Sequence, residues 1–268
     1  MGSLQSRELA KNIRALSLEI IYNARASHIG SVFSCADIIA VLYESVMNYD
    51  PYQPDWASRD RFILSKGHAC VGVYSCLSLK GFFSKEELNT YGLLNSPFMS
   101  HISHKVPGVE FSSGSLGHGL SYSVGIALTL KRKKSSSKVY VILGDGELNE
   151  GSNWEAIMFI SHYKLSNLTI IIDNNKLQGL GLTDDVIRMG QLELKFKSFG
   201  LYVKSVDGHS HDEIFRALSE TADKNLPSVI IANTTKGKGV DFMEDSLEWH
   251  YKNPNKDQFI NAMNQIMQ

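Results

Sequence analysis

Val139-Tyr140-Val141-Ile142-Leu143-Gly144-Asp145-Gly146-Glu147 is the stretch from which the rest of the chain can be read. An apolar run with no polar alternation suits a strand buried on both faces, as in a parallel sheet. It runs straight into a turn whose glycines permit close backbone approach, and Asp145 puts a carboxylate at the strand's carboxyl end. Ligands of open α/β sheets bind at that edge. A dinucleotide fingerprint fails, because G-x-G-x-x-G would need Gly where the chain has Asn149, and no G-x-x-x-x-G-K-[ST] occurs anywhere.

Working outward, Leu168–Ile172 is a second such run and ends in Asp173-Asn174-Asn175-Lys176. With Lys138–Leu143, Leu201–Val206 and Ser228–Ala232 these runs recur at roughly 30 residues, the length of a βαβ unit. Helical patterns over 152–163, 188–199 and 211–222 lie between them, the last opened by Ser210-x-x-Glu213. In the first half, Leu9, Ile13, Leu16, Ile20 and Ala24 fall on one helical face. The pattern Ser34-x-x-Asp37 predicts the start of a second helix carrying Ile38, Leu42 and Val46 inward, ended by Tyr49-Asp50-Pro51. Arg61–Leu64 reads as a short strand leading into Ser65-Lys66-Gly67-His68, and 81–117 as a long irregular stretch with one short helix begun at Ser84-x-x-Glu87. No repeat or composition break marks a boundary. The expectation is one α/β domain over residues 1–268, with a doubly wound, mostly parallel sheet and helices on both faces.

Lys plus Arg number 27 and Asp plus Glu 28, a net charge of −1, which argues against a nucleic-acid protein. Lys131-Arg132-Lys133-Lys134 reads as a solvated helix end. No apolar stretch is expected to reach the ~18 residues of a membrane span, and Arg7, Glu8, Lys11 and Arg14 interrupt any signal-peptide core. Cys35, Cys70 and Cys76 have no metal-ligand spacing and suit reduced, buried thiols. A soluble, cytoplasmic protein is expected.

Two strand ends separated by one helix bring Asp145 and Asn175 together. A carboxylate, an amide oxygen and a nearby carbonyl form a hard-oxygen site for Mg²⁺ or Ca²⁺, completed by phosphate and water. Gly114-Ser115-Leu116-Gly117-His118-Gly119 precedes the helix Leu120–Leu130. Its glycines suit either a phosphate at a helix N-terminus or close helix–helix packing through Gly119, Ser123, Gly125 and Ala127. Of nine histidines, His28, His68, His101 and His250 sit at helix ends or in loops; His101 and His104 lack a completing zinc ligand, and His209 and His211 suit capping or surface roles.

Together these residues resemble the amino-terminal, diphosphate-binding half of transketolase. Gly144-Asp145-Gly146 to Asn174-Asn175 is similar to the thiamine diphosphate motif, which is specific. Ser27-His28-Ile29-Gly30-Ser31, Ser65-Lys66-Gly67-His68-Ala69, Pro107-Gly108-Val109-Glu110 and Ser113-Gly114-Ser115-Leu116-Gly117 occur in family order. Val206-Asp207-Gly208-His209, Lys236-Gly237-Lys238-Gly239 and Glu248-Trp249-His250 extend the resemblance to about residues 7–255. It implies that Asp145, Asn175 and the Leu177 carbonyl hold Mg²⁺, with Ca²⁺ or Mn²⁺ as substitutes. It places His68, Gly114, Ser115, Leu116, Asp145, Gly146, Glu147, Asn175 and His250 against thiamine diphosphate, and His28, His68, His101 and His250 around the substrate oxygens. Glu150 and Glu155 match an acidic pair at the family's subunit interface; by themselves they are ordinary first-turn helix acids.

The implied reaction transfers a two-carbon ketol unit from a ketose or ketose phosphate to an aldose or aldose phosphate. Family enzymes are about twice as long, and their second half supplies an activating glutamate, the pyrimidine pocket and the sugar-phosphate grip. The resemblance therefore implies a split transketolase, completed by a separate carboxyl-terminal subunit, most simply as two copies of each chain. Ser27, His118, Asn174-Asn175-Lys176, Ser100 and Ile102 depart from the usual family residues, which points to an unusual sugar on the acceptor side. The competing expectations are a deoxyxylulose-phosphate synthase-like or 2-oxoacid dehydrogenase-like subunit, and a non-catalytic thiamine diphosphate-binding regulatory subunit.

Overall fold

The computed structural model describes residues 2–268. Helices α1 (Gly2–Ala24) and α2 (Ile29–Val41) lead, through a π-helical turn at Leu42–Val46, to strand β1 (Arg61–Leu64). Helix α3 (Cys70–Leu79), the short α4 (Lys85–Leu88) and α5 (Gly119–Arg132) precede β2 (Val139–Gly144). Then follow α6 (Gly151–His162), β3 (Leu168–Asn174), α7 (Thr183–Val186), α8 (Leu192–Ser198), β4 (Tyr202–Asp207), α9 (His211–Asp223), β5 (Ser228–Asn233) and α10 (Lys256–Met267). All neighbouring strands are parallel, in the order β1-β2-β3-β5-β4.

Period-two alternation divides each strand between two cores. Val139, Val141 and Leu143 face α5, α6 and α8, in a core with Ile157, Ile160 and Phe196. Tyr140 and Ile142 face the opposite layer, whose core holds residues of α1, α2, α3, α9 and α10. Both faces are covered, so no polar alternation survives in the sequence. The expected doubly wound sheet is present, and pairing of Gly144 with Asp173 sets the Asp145 and Asn175 turns side by side.

The second helix differs from expectation. It begins at Ile29, and Ser34 and Asp37 lie inside it rather than at its start. Ser34 Oγ donates to the Ser31 carbonyl and to Asp173 at 2.6 Å, while Asp37 receives Arg14. A serine followed three residues on by an acid is a capping pattern only where the backbone is not already helical; here both side chains are spent on buried tertiary partners. The run Ile29–Val46 also corrects the expectation about apolar length: 18 residues are long and apolar enough to cross a membrane, and most of that run is buried between neighbouring elements. The helix expected over 188–199 is confined to Leu192–Ser198, because Gly190 at φ 65° breaks the preceding turn. The capping pair at Ser84 forms as read, whereas at Ser210 only the serine accepts from the Glu213 N–H and the Glu213 carboxylate accepts from the Asp207 N–H. Lys131, in the basic run, donates to the Tyr163 and Lys164 carbonyls at 2.8 and 2.7 Å, tying α5 to the end of α6.

Candidate active site

The floor of the site is built by the ends of β2 and β3. Asp145 is buried; one carboxylate oxygen accepts from the Gly146 N–H at 2.8 Å, the other from the Lys176 N–H at 2.6 Å and Thr183 Oγ1 at 3.1 Å. Asn175 Oδ1 accepts from the Leu177 N–H at 3.1 Å, and its amide nitrogen donates to Asp173 at 3.2 Å, which fixes which end of the amide faces the cavity. Asp145, Asn175 and Leu177 line one cavity of about 290 Å³ together with His28, His68 and His250. Burial and neighbouring Asp173 raise the Asp145 carboxyl above its usual range.

Among the described residues no cation lies within ion-pair distance of Asp145. Nor does any group of three or more His, Cys, Asp or Glu among them suit a metal. A buried carboxylate, an oriented amide and a main-chain carbonyl fit a divalent cation that brings its own anionic oxygens, as a metal–diphosphate pair does.

Three loops converge on Glu147. Its buried carboxylate accepts from Ser65 Oγ, the Gly117 N–H at 2.9 Å and the Gly144 N–H at 3.2 Å. Glu147 borders the cavity, but these bonds engage its carboxylate in holding the loops together. Gly114 and Leu116 also line the cavity, whereas Ser115 between them is exposed. Neither glycine makes the expected helix–helix contact: a Cβ at Gly119 would lie 2.7 Å from Cα of Ser65, in the loop after β1, while one at Gly125 would meet nothing. Gly119→Ala is expected to force the Ser65 and Gly117 loops apart and to cost about 2 kcal/mol, read as a lower urea midpoint. Gly125→Ala should leave the midpoint unchanged or slightly raised.

Four imidazoles form the wall. The His28 ring centroid lies 5.2 Å from His68, 5.9 Å from His101 and 5.2 Å from His250, and His68 lies 5.5 Å from His250. His28 occupies the left-handed region at φ 75°, held by its N–H donating to the His250 carbonyl at 3.0 Å. Such a conformation costs a non-glycine residue roughly 1–2 kcal/mol, and the contact joins the two histidines through their backbones. Lys236 Nζ donates to the Leu177 carbonyl at 3.0 Å and to His250 Nδ1 at 2.8 Å. A protonated Lys236 requires Nδ1 to accept, so the ring proton of neutral His250 is on Nε2.

Burial, His101 and two lysines lower His28 to about 4. Burial, Lys236 and His28 lower His250 to about 3. His68 is pushed well down by burial and Lys66, and Lys236 falls to about 8 through burial and Lys66. These imidazoles are neutral at pH 7 and can accept or share protons without bringing charge. In the unfolded chain they protonate near 6.5, so the unfolding free energy falls as pH drops from about 6.5 towards 4. Asp37 and Asp173, held below the usual carboxylate range, add their losses only at lower pH, and the raised Asp145 and Glu147 act in the opposite sense. Urea midpoints measured from pH 7.5 to 4.5 should decline, and His250→Gln should flatten the decline. An unchanged slope in that variant would show the imidazole to be as solvated as in the unfolded chain.

The structure brings His28, His68, His101, His250, Gly114, Leu116, Asp145, Gly146, Glu147, Asn175 and Leu177 to one cavity. Glu150 and Glu155 lie outside it, exposed at the start of α6. Two features escaped the residue-level reading. Lys66 and Asp173 form a fully buried pair under the site, and Lys236 reaches into it; only the glycines flanking these lysines hinted at close packing. His209 and His211, expected as capping or surface groups, instead converge on Asp37.

Residues 5–267 match the family described as transketolase, thiamine diphosphate binding domain. The chain is 40% identical over 266 residues to a Phocaeicola vulgatus protein named as one of the subunits of apulose-4-phosphate transketolase, covering 98% of this chain and 92% of that one. It is 40% identical over 243 residues to the 6-deoxy-6-sulfo-D-fructose transketolase subunit SqwG of a Clostridium species, covering 90% and 88%. The crystal structure of Campylobacter jejuni transketolase superposes with a TM-score of 0.94 at 32% identity, over 98% of this chain and 43% of that one. The chain spans well under half of that enzyme but nearly the whole length of the two subunits. It belongs to the transketolase family, as the amino-terminal, thiamine diphosphate-binding subunit of a transketolase split between chains.

Proposed function

We propose that this subunit holds thiamine diphosphate through Mg²⁺ at Asp145, Asn175 and the Leu177 carbonyl. In this reading it transfers a ketol unit from a ketose to an aldose only when joined to a second chain. The observation that supports this best is the single cavity shared by those oxygens and four imidazoles. Bound thiamine diphosphate supplies the cleavage and re-forming of the bond beside the ketose carbonyl. The chain's own residues do the rest. Asp145 and Asn175 would hold the metal, Gly114 and Leu116 would line the cofactor, and Lys236 keeps the His250 proton on Nε2. His28, His68 and His101 would face the substrate's hydroxyls, and the lowered pKa values of His28 and His68 keep those two rings neutral at working pH.

The relatives' names support a separate partner, since both are called subunits and both are nearly matched in length. Their printed substrates, apulose-4-phosphate and a sulfofructose, suggest that this lineage takes uncommon sugars or sugar phosphates. Two copies of each chain, with Glu150 and Glu155 of this one at the junction, form the simplest closed assembly. A cytoplasmic setting suits three free, buried cysteines with raised thiol pKa values. The test is to combine the chain with its carboxyl-terminal counterpart, thiamine diphosphate and Mg²⁺, and assay ketol transfer across a panel of sugars alongside native mass spectrometry. Turnover only by the mixture, with a two-plus-two mass, is expected. Full turnover by this chain alone would overturn the two-chain reading; cofactor binding with no turnover by any mixture would favour a regulatory role.

A further inference from the structure

Behind the histidine wall lies a second polar cluster that the reaction does not use directly. Asp37, buried inside α2, accepts from Arg14 Nη1 at 3.0 Å and Nη2 at 2.6 Å, from His211 Nε2 at 3.1 Å and from His209 Nδ1 at 2.7 Å. The other nitrogen of His209, Nε2, accepts from the backbone N–H of Thr235 at 2.8 Å. A backbone N–H can only donate, so His209 carries its proton on Nδ1 and gives it to Asp37. Both nitrogens are committed, and in one tautomer only.

Thr235 is the residue before Lys236. The same segment is held on either side: Thr234 Oγ1 donates to Asp173, and the Gly237 N–H donates to the Gly30 carbonyl at 3.0 Å. Gly237 has φ 81°, and a Cβ there would fall 2.2 Å from the Met243 carbonyl oxygen, so the backbone turns away immediately after the lysine. The bond to His209 anchors the Thr234–Thr235 peptide, one residue short of Lys236. From there the Lys236 side chain reaches the Leu177 carbonyl and His250 Nδ1, one group read above as a metal ligand and the other as a wall of the cofactor site.

We propose that His209 is a positioning residue, whose Nε2 holds the Thr235 N–H and so sets how Lys236 meets the cofactor site. The inference rests on the reading of the site given above, and two substitutions separate its parts. His209→Asn keeps a donor in place of Nδ1 for Asp37 and removes the acceptor for Thr235. His209→Gln puts an amide oxygen where Nε2 was and restores that acceptor.

The first measurement is amide hydrogen exchange of the cofactor-free chain over the segment containing Thr235. Protection should fall about tenfold in His209→Asn and return in His209→Gln, with α2 and the sheet unchanged. The second is thiamine diphosphate affinity, with Mg²⁺, in the assembled complex. His209→Asn should weaken it about tenfold, the lower end of what outer-layer partners contribute, and His209→Gln should recover most of that loss. In a Lys236→Ala background His209→Asn should have little further effect, because the lysine through which it acts is gone. Unchanged exchange in His209→Asn would overturn the linkage itself. Changed exchange with unchanged affinity, or an equal loss in the Lys236→Ala background, would show that His209 does not act through Lys236. Failure of the wild-type complex to bind thiamine diphosphate would overturn the reading of the site, leaving the exchange result to judge the linkage alone.

Discussion

Asp145→Asn should lower magnesium-dependent affinity for thiamine diphosphate by about 100-fold or more, in a protein that still folds. The substitution preserves shape and one carbonyl-type oxygen, so either the Lys176 N–H or the Gly146 N–H keeps an acceptor. What it removes is the negative charge, buried and without a cationic partner among the described residues, at the place a divalent ion would sit. Losing an outer-layer partner already costs a metal site 10–100-fold, and a direct charged ligand should cost at least as much. Stability should move little or improve: burial and Asp173 raise the Asp145 pKa, which marks its charge as a cost to the folded chain before a cation arrives. Calorimetric titration of thiamine diphosphate at fixed Mg²⁺ measures the first effect and urea unfolding the second. An affinity within about threefold of wild type would remove Asp145 from the metal.

Asp173→Ala is expected to cost about 3–5 kcal/mol in unfolding free energy. Lys66 and Asp173 are both buried, and the lysine also donates to the Ser31 carbonyl at 3.0 Å. Asp173 accepts in addition from Ser34, Thr234 and the Asn175 amide. Burial pushes the Asp173 carboxyl up, but Lys66 and these hydrogen bonds outweigh it and hold the group below the usual range. The stability it contributes is therefore present above the unfolded carboxyl pKa of about 4 and lost as pH falls through the depressed folded value. Removing the carboxylate strands an ammonium in the interior; replacing both partners, as in Lys66→Met with Asp173→Leu, should recover a large part of the loss. Chemical denaturation of the single and double variants decides this, and a single-variant loss below about 1 kcal/mol would mean that water reaches the pair.

The two variants also show where sequence reading reached its limit. Asp145 was legible because its neighbours are: an apolar run, then glycine on either side, has few structural explanations. Asp173 was not, because Asp-Asn-Asn after a strand is an ordinary turn, and its partner Lys66 lies more than a hundred positions away. Ser34-x-x-Asp37 misled for the same reason. Its local pattern fits a helix start, while the side chains answer to Asp173 and Arg14 in other elements. His209 and His211 near a helix start looked like surface residues until α9 and α2 packed together around Asp37.

The sequence by itself determined the strands and the placing of Asp145 and Asn175 at neighbouring strand ends, because that placement depends on spacing within about one βαβ unit. Only the tertiary structure decided which charges are buried in pairs, which tautomer His209 and His250 adopt, and that Lys236 enters the site. Those depend on side chains that burial brings within hydrogen-bond distance across distant parts of the chain, where desolvation makes an unpaired group costly and the partner is set by packing.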